Sequence, residues 1–228
     1  DKITGAAIKI ATEPDTSEVT DESNTTGGDA DNTATTVDKR HIFVGDSRTV
    51  GLSNAMGCVS YDKLLQIRTE ENLTEYYLAE VGSGYSWYST KALPKLVKML
   101  NENPAATVIL NHGINDLGNI DQYIASYQWL IRVYPNTKFV IMSVNPVNRK
   151  LYKGYAKPAN ITVFNQKMQA AFPNNFVNTY QYLQSMGFNT ADGLHYDSLT
   201  YMNLYNSSDL LYAAVLIRLA MEYRIVSW

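Results

Sequence analysis

Apolar and polar positions alternate in blocks along most of the chain. From residue 41 onward, short apolar runs suited to buried strands are separated by longer stretches with helical periodicity. The predicted strands are 41–45, 76–82, 106–113, 138–146 and 175–180, and the predicted helices lie near 47–56, 89–101, 121–134, 158–171 and 198–222. Strands spaced by helices require right-handed crossovers and pair in parallel. We therefore expect an α/β fold, a three-layer α/β/α sandwich around a central, mainly parallel sheet of about five strands.

The first 38 residues do not follow this pattern. Residues 11–38 are rich in Thr, Asp, Asn and Gly, and they contain no Leu, Ile, Met, Phe, Tyr or Trp. Such a segment cannot bury enough apolar surface to offset the entropy lost on ordering. We predict an acidic, largely disordered linker over 1–38, in which the short apolar stretch 1–10 is able to dock on the domain, and a folded domain over 39–228.

The charge is distributed unevenly between these two parts. The chain has a formal net charge of -3. Residues 11–38 carry eight acids and no Lys or Arg, and residues 1–10 carry +1, so the remaining 39–228 carry +4. No dense Lys and Arg patch of the size that nucleic acid requires stands out in that remainder, so we predict no nucleic-acid partner.

The linker also bears on the location of the protein. The longest apolar stretch, 210–217, is shorter than the roughly 18 residues that a membrane-spanning helix needs, so we expect a soluble protein. A disordered linker in front of a domain is typical of proteins tethered to a bacterial membrane or cell wall. We therefore expect an extracellular or cell-surface protein whose signal or anchor lies outside the given sequence. The alternative is the inert tail of a cytoplasmic protein.

Residue types that form disulfides and metal sites are scarce. The chain has one cysteine, Cys58, and three histidines. A single cysteine cannot form an internal disulfide, and no group of His, Cys and carboxylates has the spacing of metal ligands. We predict a protein without a metal or another cofactor.

Candidate chemistry follows the predicted strands, at the points where each strand ends. The first strand ends in Gly45-Asp46-Ser47, the second in VGSGYSW and the third in NHGINDLG, and TADGLHYDS follows near the C-terminus. In open parallel sheets, ligands bind beyond the carboxyl ends of the strands. These glycines and polar residues are therefore expected to meet at one edge of the sheet.

Ser47, His195 and Asp192 have the chemistry of a nucleophile, its base and an orienting acid. A serine hydroxyl needs a base within hydrogen-bond reach, and that base needs a third group to orient it. Asp192 lies three residues before His195, so its carboxylate can bind imidazole Nδ1 and leave Nε2 for Ser47. Of the other histidines, His41 begins a strand at the opposite edge, and His112 has no carboxylate three residues before it. Taken alone, Ser47 is also a residue type that caps helices.

A negatively charged reaction intermediate needs donors that are already in place. The backbone N–H groups of Ser47 and Gly84 and the side-chain amide of Asn115 are the candidates for an oxyanion hole. Glycine permits close approach of the backbone, and Gly82 is an alternative to Gly84 for the same reason.

Three further residues are candidate substrate contacts. Arg48 could meet an anionic group on the substrate, or it could lie along the helix surface. Tyr85 and Trp87 could stack on a sugar ring, or they could serve packing alone.

In order and spacing, these blocks resemble the SGNH or GDSL hydrolases, a family named after a Ser, a Gly, an Asn and a His in four separated blocks. Over residues 41–200 the matching blocks are Gly45-Asp46-Ser47, Gly84, Gly113-Ile114-Asn115-Asp116 and Asp192-Gly193-Leu194-His195. The sequence departs from the family name at Arg48, where the name has Leu. The resemblance implies a flavodoxin-like catalytic domain, ester hydrolysis through a Ser-His-Asp triad, and no cofactor.

The expected function is that of a serine esterase. The resemblance implies ester chemistry, and the surface location with the aromatic residues favours acetyl or another short acyl group on an extracellular carbohydrate. The sequence also permits a lipase or lysophospholipase, or a glycan O-acetyltransferase that passes the acyl group to a sugar. The alternative outside enzymes is a surface module that binds a glycan without turnover.

Overall fold

The computed structural model describes residues 39–207. The predicted linker 1–38 and the part of the last predicted helix beyond residue 207 lie outside the described residues. The described strands are β1 (Lys39–Gly45), β2 (Val59–Asp62), β3 (Leu65–Glu70), β4 (Leu73–Ala79), β5 (Thr107–Asn111), β6 (Lys138–Met142) and β7 (Phe176–Val177). The helices are α1 (Ser47–Ala55), α2 (Tyr85–Trp87), α3 (Leu93–Glu102), α4 (Ile120–Val133), α5 (Pro158–Ala171), α6 (Thr179–Met186) and α7, which begins at 198 and is described to 207.

The seven described strands form one sheet in the order β2-β3-β4-β1-β5-β6-β7. Strands β4, β1, β5, β6 and β7 run parallel, and β2 and β3 form an antiparallel hairpin at one edge. The predicted α/β class with a mainly parallel sheet is therefore confirmed, and the parallel part has the predicted five strands. The hairpin was not predicted because β2 is exposed along its whole length and carries no apolar run.

Helices cover both faces of the sheet. Successive side chains of a strand point to opposite faces, so Ile42 and Val44 of β1 join one hydrophobic core and Phe43 joins the other. The first core includes side chains of α3, α4 and α5, and the second includes side chains of α1, α6 and α7. The predicted three-layer sandwich is confirmed. Within residues 39–207, no helix combines the length and the apolar character needed to cross a membrane.

The predicted strand 175–180 is wrong for most of its length. Only Phe176–Val177 pairs with β6. The side chain of Asn178 then accepts a hydrogen bond from Gln181 N at 3.0 Å and caps α6, which begins at Thr179. An edge strand this short carries too few apolar residues for its end to be read from the sequence.

Parallel pairing brings three strand ends together. Gly45 at the end of β1 lies in register with Ala79 at the end of β4 and with Asn111 at the end of β5. The chain that leaves each of these positions carries candidate site residues. The fold therefore gathers them at one edge of the sheet, as expected for the carboxyl ends of parallel strands.

Candidate active site

Ser47 is the first residue of α1 and follows β1 after a single residue, Asp46. Asp46 is the helix cap: its carboxylate accepts a hydrogen bond from Arg48 N at 3.0 Å. Burial raises the pKa of the Asp46 carboxyl to about 6. Because the cap is Asp46, the hydroxyl of Ser47 is left for other partners.

Ser47, His195 and Asp192 form a continuous chain of hydrogen bonds. His195 Nε2 lies 2.9 Å from Ser47 Oγ, and His195 Nδ1 lies 2.6 Å from Asp192 Oδ2. The other carboxylate oxygen, Oδ1, accepts the backbone N–H groups of Leu194 and His195, both at 2.8 Å. Burial alone would raise the pKa of Asp192, but the hydrogen bonds from His195 and the backbone outweigh it and hold the pKa well below its usual range. The Asp192 carboxylate is therefore ionised at neutral pH.

Gly193 fixes the turn that carries His195. Its φ of +83° is a conformation that L residues rarely adopt. A Cβ atom at this position would lie 2.3 Å from Tyr152 N and 2.6 Å from Asn148 O. Gly193 O also accepts a hydrogen bond from Asn148 N at 2.9 Å. Both space and conformation therefore require glycine between Asp192 and His195.

Arg48 corrects an expectation. Its side chain is only 3% exposed, so it neither lies along the helix surface nor reaches a substrate. The guanidinium donates to three backbone carbonyls, those of Leu194 (3.1 Å), Asn145 (2.8 Å) and Pro146 (2.9 Å), and it lies 5.0 Å from the centre of the Tyr196 ring. Arg48 thus ties the turn of His195 to the chain that leaves β6.

Gly84 and Asn115 lie in the segments that follow β4 and β5. A Cβ atom on Gly84 would sit 2.6 Å from Asp116 Oδ2, whereas one on Gly82 would meet open space. The close approach to the Asn115 loop therefore involves Gly84. Asn115 Nδ2 donates to Ser83 O at 2.9 Å, and the amide retains its second hydrogen for another acceptor.

Asp116 holds these two segments together, a role that the sequence did not predict. Its carboxylate accepts hydrogen bonds from Tyr85 N (2.5 Å), Asn119 Nδ2 (2.9 Å) and Tyr123 OH (3.0 Å). Asp116 therefore orients the start of α2 relative to the loop after β5. In the sequence, Asp116 stood out only as the last residue of the block Gly113–Asp116, and nothing there indicated its hydrogen-bond partners.

The aromatic candidates and His112 pack against one another. The Tyr85 ring meets Tyr123 edge-on with centroids 5.1 Å apart, and Trp87 lies 6.0 Å from His112. Tyr85 and Trp87 were candidates either for stacking on a sugar ring or for packing, and these contacts are packing contacts. Burial lowers the pKa of His112 to about 3, so its imidazole is neutral and unsuited to act as a base near pH 7.

Other titratable groups lie elsewhere. His41 lies near the start of β1, whereas Ser47 follows the end of that strand. His41 Nδ1 lies 3.9 Å from the buried carboxylate of Glu75. Across residues 39–207, no group of three or more His, Cys, Asp or Glu side chains is arranged to hold a metal ion. Two surface grooves, of about 570 and 370 Å³, are lined by other residues than Ser47, His195 and Asn115.

Known structures share this architecture. A protein from Streptococcus pneumonia whose name refers to platelet activating factor is 24% identical, covers 79% of this chain and 87% of its own, and gives a TM-score of 0.58. The lipase/acylhydrolase from Enterococcus faecalis is 16% identical, with coverage of 79% and 94% and a TM-score of 0.51. Phospholipase A1 from Streptomyces albidoflavus is 14% identical, with coverage of 74% and 98% and a TM-score of 0.50. No family model and no curated protein matches the sequence.

The fold of the chain is that of the SGNH/GDSL-type hydrolases. The resemblance predicted from the four sequence blocks is confirmed at the level of the fold. At these identities the likeness concerns the fold alone, so the activity has to be argued from the residues of this chain.

Proposed function

We propose that the protein is a serine esterase that hydrolyses short acyl esters, in particular acetyl esters on a carbohydrate outside the cell. The observation that carries this proposal is the position of His195 between Ser47 Oγ at 2.9 Å and Asp192 Oδ2 at 2.6 Å. A base that meets a serine hydroxyl with one ring nitrogen and a carboxylate with the other is arranged for nucleophilic catalysis.

The proposed reaction has two halves. Ser47 Oγ attacks the ester carbonyl carbon while His195 Nε2 takes the hydroxyl proton. The bond to the alcohol then breaks, the alcohol oxygen receives that proton, and the acyl group stays on Ser47. Water repeats the sequence: it attacks the acyl carbon, His195 takes its proton, and the carboxylic acid leaves as Ser47 is protonated again. Asp192 keeps the imidazole in the required tautomer and stabilises its charged form.

The oxygen that becomes negative in each half needs donors. The backbone N–H groups of Ser47 and Gly84 and the amide of Asn115 are proposed to supply them. Support comes from Asp116, which fixes the segments of Gly84 and Asn115 through three hydrogen bonds before any substrate arrives. Donors held in this way need no reorganisation during the reaction.

Exposure of the site supports a short acyl group. The side chains of His195 and Asp192 are 42% and 53% exposed, so the base beside Ser47 faces solvent rather than an apolar tunnel. A long acyl chain would need such a tunnel to be buried. A lipase or lysophospholipase and a glycan O-acetyltransferase use the same acyl-enzyme, and they are separated from the proposed esterase by the assay below.

The first test is hydrolysis of p-nitrophenyl acetate, butyrate and octanoate by the wild type, Ser47→Ala and a control, Ser185→Ala. Ser185 is exposed on α6 and bonds only to the carbonyl of Tyr182. We expect the wild type and the control to hydrolyse acetate fastest, and Ser47→Ala to lose the activity with its melting temperature unchanged.

Each other outcome points elsewhere. Equal activity in Ser47→Ala and the wild type would disprove the serine assignment. Faster turnover of octanoate than acetate would favour a lipase. Turnover of no ester, together with measurable binding of glycans, would favour the surface module, and acyl transfer that requires an added sugar would favour the transferase.

A further inference from the structure

The loop between β6 and α5 contacts both the turn of His195 and the segment of Asn115. At its start, Asn148 N donates to Gly193 O at 2.9 Å, within the turn of the base. Near its end, Tyr155 OH donates to Ile114 O at 2.5 Å, next to Asn115. The segment 149–154 is therefore fixed between the base and the oxyanion side, and it forms part of the rim that a substrate passes.

This rim segment, residues 149–154, is positively charged. It holds Arg149, Lys150 and Lys153 and no acid, and Lys157 follows shortly after it. The lysines are exposed, and Arg149 is half-buried. Among the ion pairs of residues 39–207, none involves these four cations. Exposed cations elsewhere, such as Lys98 and Arg132, also lack an ion pair among the described residues, but they lie apart from one another, on α3 and α4. The rim segment differs in that it holds three cations and no acid within six residues.

The cations of the rim segment use only some of their N–H donors within the loop. Arg149 Nη1 donates to Gly154 O at 3.0 Å, and Arg149 lies 5.7 Å from the centre of the Tyr152 ring. Lys153 Nζ donates to Lys150 O at 2.8 Å. These contacts stiffen the loop, but a guanidinium carries five N–H donors and an ammonium three, so most remain for a ligand.

The acids around the site do not cancel this charge. Asp46 is buried, and Asp116 is occupied by its three donors. Asp192 is exposed and ionised, but its single negative charge is outnumbered by the three positive charges of the rim segment. A ligand that approaches along the rim segment therefore meets positive charge with free donors.

We propose that the ester substrate carries a negative group, a carboxylate or a phosphate, close to the acylated oxygen, and that the cations of the rim segment bind it. This proposal rests on the proposed esterase function. It names an anionic O-acylated glycan as the substrate class. A membrane of anionic lipids is the less suitable ligand, since the rim segment offers one exposed large apolar side chain, Leu151, for insertion.

The test compares two acetyl esters that differ in one carboxylate: methyl 3-O-acetyl-glucoside and methyl 3-O-acetyl-glucuronoside. The wild type is compared with the triple variant Arg149→Gln/Lys150→Gln/Lys153→Gln. The matched control is Lys98→Gln/Arg132→Gln/Lys167→Gln, which removes the same charge from exposed positions on α3, α4 and α5. Melting temperatures establish that all three proteins are folded.

We expect the wild type and the control to prefer the glucuronoside by about tenfold in kcat/KM, and the triple variant to lose most of that preference. The preference should also shrink in 0.5 M NaCl, because salt screens exposed charges. No preference in the wild type, or equal losses in both variants, would overturn the proposal.

Two further measurements separate this inference from others. Binding of the two glycosides to Ser47→Ala reads the charge preference without turnover, so failure of the esterase assay and failure of the anion site give different results. The second measurement is binding to phosphatidylglycerol vesicles. If the wild type binds them, the triple variant does not, and neither glycoside is preferred, the rim segment binds a membrane surface and the proposal is overturned.

Discussion

The proposed base and the proposed oxyanion donors are held in different ways. On the base side, His195 and Asp192 are about half exposed, and their turn is anchored from beneath by the buried Arg48. In the proposed oxyanion hole, Asp116 fixes the backbone through three hydrogen bonds, and the nearby aromatic rings exclude water around His112. A base must exchange protons with reactants, whereas oxyanion donors must only stay in place. The first side therefore suits access and the second suits rigidity.

Two carboxylates near Ser47, those of Asp46 and Asp192, have pKa values shifted in opposite directions. Burial raises the pKa of Asp46 to about 6, whereas hydrogen bonds hold the pKa of Asp192 well below its usual range. Two acids at one site with opposite shifts have different tasks. Asp192 serves as a permanent anion for the imidazole, and Asp46 caps α1 as a group whose charge is costly.

The largest expected effect concerns the base. His195→Ala should lower kcat/KM for p-nitrophenyl acetate by about 10³- to 10⁴-fold, because the serine loses the group that takes its proton. His112→Phe is the matched control, since the His112 ring is buried among aromatic residues and both of its nitrogens lack a hydrogen-bond partner. We expect this control to keep its activity within about threefold. Similar losses in both variants would contradict the assignment of the base.

The next effect concerns the oxyanion side. Asn115→Ala should lower kcat by about 10²- to 10³-fold and leave KM almost unchanged, because the amide binds an oxygen whose charge develops only in the transition state. Steady-state kinetics with p-nitrophenyl acetate measure both constants. A rise in KM at constant kcat would show that Asn115 binds the ground state instead.

The third effect is on stability and depends on pH. The pKa of Asp46 in the folded protein, about 6, lies above the ordinary value of 3.8, so the folded state holds its proton more tightly than the unfolded state does. The stability of the wild type should therefore fall, relative to Asp46→Asn, as pH rises from 4 to 7, by about 2 kcal/mol. Asn keeps the helix cap. Urea titrations at the two pH values measure the difference, and parallel pH profiles for the two proteins would contradict it.

The smallest effect distinguishes two roles for Arg48. Arg48→Lys keeps the charge but loses the planar fork that reaches three carbonyls. If Arg48 positions the turn of His195, kcat should fall by about tenfold for neutral and anionic acetyl esters alike. A loss confined to the glucuronoside would instead make Arg48 a substrate contact, against its burial.

The sequence predicted those features that depend on local pattern. Parallel strands with apolar runs and the order of the four blocks were enough to place Ser47, His195 and Asp192 at one edge of the sheet. The exposed hairpin of β2 and β3 was missed because its residues bury little apolar surface. Short apolar runs can be recognised without knowing their neighbours, but a solvated edge strand cannot.

The roles of Arg48 and Asp116 could not be predicted for a different reason. Both act on partners that are distant in sequence: Arg48 bonds to Leu194, 146 residues away, and Asp116 bonds to Tyr85, 31 residues away. Their residue types are as common on surfaces as in networks. Only the packed structure shows which backbone groups they meet.

The separation of Ser47 from His195, 148 residues along the chain, has a consequence for synthesis on the ribosome. At about 5 to 20 residues each second, Ser47 emerges roughly 7 to 30 s before His195. During this interval the guanidinium of Arg48 lacks one of its three carbonyl partners, that of Leu194. The hydrogen bonds among Ser47, His195 and Asp192 can therefore form only late in synthesis, and a chain truncated before residue 195 would hold Ser47 without its proposed base.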